Sequence, residues 1–150
     1  GAEAVFLCGP GEMIDNVTAM LKDHGMPKER VHFERFFTEG DTPRAPRSDA
    51  AAKAAEAGVT VEVVLDGVRR SFIVEENDDT VLDAAERQGL ELPYSCRGGM
   101  CCTCRCKVDE GSAEMAVNYS LEDWETKAGF TLACQARPTS ERLVLDVDAA

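Results

Sequence analysis

Sixteen residues, Pro93 to Val108, constrain this chain more than any other stretch: Pro-Tyr-Ser-Cys-Arg-Gly-Gly-Met-Cys-Cys-Thr-Cys-Arg-Cys-Lys-Val. They hold five of the seven cysteines. Cys96, Cys101 and Cys104 are spaced C-x4-C-x2-C, and Cys134 follows downstream as a candidate fourth thiolate. Seven is an odd number, and the cysteines are bunched rather than spread. That usage fits a soft metal site in a reducing compartment better than a disulfide framework, so the cytoplasm is the expected location.

The spacing is that of a [2Fe–2S] cluster whose last ligand comes from a distant part of the chain. A loop wrapping such a group must turn several thiolates inward within a few residues and aim backbone N–H groups at the sulfurs. Gly98 and Gly99 allow that close wrapping. Read alone, the glycine pair is equally an ordinary turn. Ser95 is a candidate hydroxyl donor, and Tyr94 or Met100 a candidate shield against water. Using Cys102 would change the spacing to C-x5-C, and using Cys106 would make a C-x-C pair with Cys104, so both are read as non-ligands. Cys106 falls on the same strand face as Cys104, where a small buried residue is expected. Cys102 is a candidate for oxidation.

Other metal chemistries fit less well. Four thiolates also suit structural zinc, and a zinc-binding interaction module using the same four cysteines is the alternative carried forward. Zinc ribbons usually bring two close C-x2-C pairs, whereas Cys134 stands alone. A Rieske centre needs two histidines near the cysteines, but His24 and His32 lie far upstream. The run C-x2-C-x2-C-x3-C-P of two-cluster ferredoxins is absent. A thioredoxin-like dithiol belongs at a strand-to-helix turn, and here a strand is expected to follow.

Cys96 to Cys104, then Val117-Asn-Tyr-Ser-Leu, then Leu132-Ala-Cys-Gln-Ala-Arg-Pro138, together resemble the C-terminal ferredoxin domain of oxygenase reductases. The resemblance is to reductases that serve phenylacetyl-CoA epoxidase and steroid ring hydroxylases. It implies Cys96, Cys101, Cys104 and Cys134 as cluster ligands, the first two on the outer iron, with Ser95, Arg97, Gly98 and Gly99 supporting the loop. It also implies an α+β architecture, the β-grasp fold of plant-type ferredoxins, over residues 58–150.

Periodicity is consistent with that fold. Val59, Val61, Val63 and Leu65 share one strand face, Asp66-Gly67 signals a hairpin, and Val68, Phe72 and Val74 return. Thr80-x-x-Asp83 resembles a capping box, opening a helix that Gly89 stops. A second short helix is expected from Ser120, ended by Gly129, with Trp124 as a core anchor or lid, core favoured. Phe130 to Ala136 reads as a strand carrying Cys134, and Leu143, Leu145 and Val147 as a last strand.

The first 38 residues read as strand, helix, strand. Ala4-Val-Phe-Leu-Cys-Gly-Pro10 is a short apolar run, Met13, Ile14, Val17, Met20 and Leu21 recur at helical spacing, and Val31 to Phe37 is β-prone. This resembles the last segment of the Rossmann-like NAD(P)-binding domain of ferredoxin-NADP-reductase-like flavoproteins. The resemblance implies that Cys8, Gly9 and Pro10 would sit beside the nicotinamide in an intact reductase. Read as a remnant of such a domain, residues 1–38 need something else to cover their apolar faces. The Pro- and Ala-rich residues 39–57 read as a linker. No G-x-G-x-x-G unit and no flavin-binding barrel is found. FAD and NAD(P)H are therefore expected as cofactors of the longer protein, not bound by this chain.

The formal charge of −12 disfavours nucleic acid, whose phosphates need a basic footprint. From residue 58 onward there are 18 acidic and 9 basic residues, which suits docking to a basic patch on a protein partner. No apolar run is long enough for a membrane span. The expected function is one-electron transfer through the cluster. A reductase FAD/NAD(P) module is the donor and an oxygenase component the acceptor. The chain is thus expected to be the electron-transfer part of an NAD(P)H-dependent oxidoreductase.

Overall fold

The computed structural model describes residues 3–36 and 44–149. Contacts divide the chain into two compact units, Gly1–Thr42 and Pro43–Ala150.

The first unit is a strand, a helix and a strand: β1 (Val5–Pro10), α1 (Gly11–Asp23) and β2 (Val31–Phe36). β1 and β2 are parallel, in register from Val5↔Val31 to Pro10↔Phe36. Parallel neighbours need a crossover, and α1 supplies it. Its end is closed by Met26 N–H on Leu21 C=O at 2.9 Å. Of the apolar positions on α1, Ile14 is buried, while Met13, Met20 and, on the strands, Phe6 and Phe33 stay exposed. A unit this small cannot cover its own apolar faces.

The second unit is built on a mixed five-stranded sheet, ordered β4-β3-β9-β5-β7. Its strands are β3 (Val59–Leu65), β4 (Val68–Val74), β5 (Arg105–Glu110), β7 (Phe130–Leu132) and β9 (Arg142–Asp146). β3 and β9 are parallel, and the remaining pairs are antiparallel. A second ribbon pairs β6 (Ala113–Met115) with β8 (Ala136–Pro138). The helices are α2 (Asp49–Ala57), α3 (Val81–Arg87) and α4 (Asp123–Lys127).

Local chemistry accounts for these elements. Asp66 and Gly67 both take positive φ, +54° and +70°, as a two-residue hairpin turn requires. Both of their N–H groups donate to the Asp148 carboxylate at 2.8 Å. The Thr80 hydroxyl caps α3, accepting from Asp83 N–H. Val59, Val61 and Val63 alternate inward along β3 and pack with Phe72, Val74, Leu143, Leu145, Val81 and Leu82. Each such side chain contributes roughly 1.5–3 kcal/mol on burial. Val68 lies beside the turn and stays half exposed.

Three expectations are corrected. The short helix α4 begins at Asp123 and is capped by Glu122 in a reciprocal box with Glu125, not by Ser120. Trp124 is 61% exposed, because a helix of only five residues at the sheet edge buries none of its side chains. Cys134 is not in a strand. β7 stops at Leu132, and a turn closed by Gln135 N–H on Leu132 C=O (2.8 Å) carries Ala133 and Cys134.

Of the residues expected to be a linker, 39–43 lie outside the described residues, and 44–57 are packed on the second unit. Ala45 N–H donates to Ala116 C=O at 3.1 Å, and Arg137 returns a bond to Ala45 C=O at 2.7 Å. Ser48 caps α2, whose Ala51 and Ala55 are buried. Small side chains at i and i+4 let a helix lie close on its neighbour.

Candidate metal centre

The centre lies where the loop between α3 and β5, residues 88–104, meets the turn after β7. Besides short-range bonds such as Arg105 N–H to Cys102 C=O at 3.0 Å, distant partners fix a loop of that length. Arg97 takes a positive φ of +50°. Its guanidinium binds Asp83 at 3.2 Å and also the Glu86 carboxylate, both on α3, and lies 4.5 Å over the Tyr94 ring. Gly99 C=O accepts from Tyr119 N–H and from the Ser120 hydroxyl, both at 3.1 Å. Ala133 N–H donates to Cys104 C=O at 2.9 Å, tying the turn to the start of β5.

Gly99 illustrates why the loop needs glycine. Its φ is +74°, and a Cβ there would lie 3.2 Å from Val117 O and 3.3 Å from Gln135 Cγ. A side chain would be strained in conformation and crowded in space at once.

The four cysteines meet as two pairs. Cys96 and Cys101 hydrogen-bond one another, and so do Cys104 and Cys134, although the second pair is 30 residues apart. Cys104 and Cys134 are buried, Cys96 is half-buried and Cys101 is exposed, so one pair faces the interior and the other reaches the surface. Donors converge on the sulfurs. Gly98 N–H lies 3.3 Å from Cys96 Sγ, and Gln135 Nε2 lies 3.5 Å from Cys134 Sγ.

Each pair contains one thiol that ionises readily. The Cys104 thiol donates to Cys134, and despite burial this, Gln135 Nε2 and Gly99 N–H bring Cys134 down to about 6. Cys104 is pushed far up by the same bond and by burial. Burial works against the Cys101 thiolate, but hydrogen bonds from Thr103 and Cys96 hold it down at about 7. Burial pushes Cys106 up to about 12, and the one backbone hydrogen bond that favours its thiolate, from Ala133 N–H, does not offset this. Its thiol instead faces Thr131 C=O at 3.8 Å from inside the core. Cys102 is half-buried with a φ of +58°.

Among the described residues, no three cysteine, histidine or carboxylate side chains gather closely enough to hold one metal ion. Two pairs of soft donors, each with one readily ionised thiol, fit a two-iron group taking two sulfurs per metal. They fit a single tetrahedral ion less well. Of the other residues singled out by sequence, Ser95, Tyr94 and Met100 are exposed, and Gly98 and Gly99 are buried. Cys8, Gly9 and Pro10 lie in the first unit, where β1 runs into α1, with Cys8 exposed. Gln135 is the residue sequence reasoning missed. It is fully buried and bonds both the Cys96–Cys104 loop and Cys134.

Comparison with known proteins bears on this geometry. A family model for the 2Fe-2S iron-sulfur cluster binding domain matches residues 63–139. Across 98% of its length the chain is 44% identical to a component of the 1,2-phenylacetyl-CoA epoxidase of Escherichia coli (strain K12), covering 40% of that protein. Across 94% it is 38% identical to the ferredoxin reductase component of 3-ketosteroid-9-alpha-monooxygenase from Rhodococcus rhodochrous, again covering 40%. The chain thus spans about 40% of the length of these curated relatives. Among solved structures, phthalate dioxygenase reductase superposes with a TM-score of 0.54 at 28% identity, over 95% of this chain and 39% of that one. The ferredoxin domain of NdmD, solved with Pseudomonas putida CBB5 NdmA, gives 0.51 at 26% identity, over 59% of this chain and 98% of that one.

Proposed function

Because the chain belongs to the family of the 2Fe-2S iron-sulfur cluster binding domain, we propose that Cys96, Cys101, Cys104 and Cys134 hold a [2Fe–2S] cluster. Through it the chain carries single electrons from an NAD(P)H- and FAD-dependent reductase module to an oxygenase. The observation that carries this reading is the pairing of thiols across the loop and the turn, one pair buried and one reaching the surface. When bound, the cluster supplies a one-electron carrier whose potential in plant-type ferredoxins is near about −400 mV.

The chain's own residues do the rest. Cys104 and Cys134 would hold the buried side of the group, within the core cluster that also contains Leu132, Ala133 and Ala136. Cys96, half-buried, and Cys101, exposed, would hold the side nearest solvent, which a partner could approach. Gly98 N–H and Gln135 Nε2 offset negative charge on sulfur. Arg97, through Asp83 and Glu86, fixes the loop so that little rearrangement accompanies charge transfer. Binding releases the protons of whichever thiols are not already ionised.

The sheet of residues 58–150 supports a β-grasp domain. Residues 1–38 are proposed as the closing segment of an NAD(P)-binding domain, with Cys8, Gly9 and Pro10 beside the nicotinamide in the intact reductase. The parallel β1–α1–β2 unit and the open faces of Phe6 and Phe33 support that reading. The oxygenase is proposed to be one like those served by the relatives, with phenylacetyl-CoA epoxidase the first to try. The chain's acidic excess suits a basic docking site on that partner.

The test is direct transfer. The anaerobically reduced chain is mixed with that oxygenase in a stopped-flow instrument, and the cluster absorbance is followed at several salt concentrations. Fast, stoichiometric reoxidation that slows as salt rises is expected. No transfer to the oxygenase, or to any oxygenase component of the related systems, would contradict the assignment.

A further inference from the structure

Gln135 follows Cys134 and is a fully buried polar side chain. Its backbone is fixed at both ends: N–H donates to Leu132 C=O at 2.8 Å, and C=O accepts from Ala116 N–H at 2.9 Å. The side chain therefore has little freedom. Its Nε2 lies 2.8 Å from Arg97 C=O and 3.5 Å from Cys134 Sγ. Its Oε1 has no hydrogen-bond partner among the described residues.

This asymmetry is informative. Turning the carboxamide over would set an oxygen against a carbonyl oxygen and a sulfur, both rich in electrons. The side chain thus keeps its donor end toward the loop and the sulfur and leaves its acceptor end unsatisfied. Leaving a buried oxygen unpaired is unfavourable, so the two donor contacts must outweigh it. Gly99 provides the space, since a Cβ there would meet Gln135 Cγ.

Resting on the cluster reading above, we propose that Gln135 is a positioning residue whose Nε2 bridges Arg97 C=O and Cys134 Sγ, locking the loop to the fourth cysteine and making reduction easier. The first effect follows from geometry. One amide spans two ligand-bearing segments that are 38 residues apart. The second follows from electrostatics. Reduction adds negative charge that spreads onto the ligand sulfurs, and a donor aimed at sulfur stabilises the reduced form more than the oxidised form. Removing the donor lowers the potential.

The test compares the cluster-loaded chain with Gln135→Leu, which keeps bulk and removes both donors. Iron and sulfide content is measured first. A native chain without both would overturn the cluster reading itself, and this inference with it. With the cluster present in each, the expected result is a three- to tenfold lower ratio of reduced to oxidised cluster in Gln135→Leu at one fixed potential. A tenfold change corresponds to about 59 mV for one electron. A ratio within about 1.5-fold of native would overturn the proposal.

A variant that does not assemble leaves a second measurement on the native chain. The only other glutamine is Gln88, whose Nε2 donates instead to Ile73 C=O and Ala84 C=O. Amide-¹⁵N glutamine therefore reports on Gln135 with little ambiguity. Pulsed EPR of the reduced chain is expected to show ¹⁵N hyperfine coupling to the cluster. A spectrum with no such coupling would overturn the proposal.

Discussion

Replacing Arg137 with leucine is expected to destabilise the second unit by about 2–4 kcal/mol. The figure comes from what the guanidinium does. Its side chain is 7% exposed. It donates to Ala45 C=O at 2.7 Å, to Asp79 C=O at 3.1 Å and to Asp79 Oδ1 at 2.6 Å. Leucine leaves two carbonyls without that donor, at about 1–3 kcal/mol for each one kept from water. The Asp79 carboxylate contributes less. It is 42% exposed and retains Arg44, so solvent screening discounts its share. In a domain of this size each kcal/mol moves the melting temperature by about 4–8 °C, so a fall of roughly 8–30 °C is expected. Far-UV circular dichroism of native and variant chains, matched for cluster content, measures it. A change below about 0.5 kcal/mol is what an indifferent surface position gives. That result would mean the segment from Arg44 to Ser48 is not held by Arg137, and the reasoning from buried partners would fail.

Further outcomes follow from single sites. Gly99→Ala combines a positive φ with Cβ contacts of 3.2–3.3 Å, so it is expected to lower stability by about 1–3 kcal/mol and to reduce cluster retention in a chelator challenge. Cys106→Ala and Cys102→Ser are expected to keep native iron and sulfide content, whereas Cys134→Ser loses most of it. Retention of a native cluster by Cys134→Ser would remove that residue from the ligand set. Acid sensitivity is predicted from Asp78. Burial alone would raise its pKa, but hydrogen bonds from Arg87 and the Glu75 N–H hold the carboxyl below 3.8. A depressed folded pKa contributes stability that is present above the unfolded value near 3.8 and lost as pH falls through the folded value. Asp78→Asn should therefore be less stable than native at pH 7, with the gap closing below about pH 4 in urea midpoints measured across pH. An unchanged gap at low pH would contradict the ion-pair account.

Features carried by neighbours in the chain are legible in the sequence. Asp66-Gly67 forms its turn from its own φ preferences, and Thr80 caps α3 from three residues away. The cysteine spacing marks a loop that can turn several thiols one way. What sequence does not disclose depends on partners far apart. Arg137 meets Ala45 and Asp79, which are 92 and 58 residues away, and no periodicity reports such contacts. Gln135 reads as an ordinary polar residue until Arg97 C=O is brought beside it. Trp124 departs from expectation because aromatic bulk suggests burial, whereas a five-residue helix at an edge offers nothing to bury it against. The turn holding Cys134 resembles a strand in sequence because Leu132-Ala-Cys-Gln-Ala is apolar enough for either. The hydrogen bonds of Ala133 and Gln135 decide for the turn.

The measurement that bears most directly on the central claim is iron and acid-labile sulfide analysis of the anaerobically purified chain, with EPR before and after dithionite reduction. A [2Fe–2S] cluster on the four cysteines predicts about two irons and two sulfides per chain. It also predicts no signal when oxidised and a half-spin signal when reduced. Zinc without sulfide, together with failure to reconstitute from iron and sulfide, would contradict the electron carrier and leave the zinc-binding interaction module in its place.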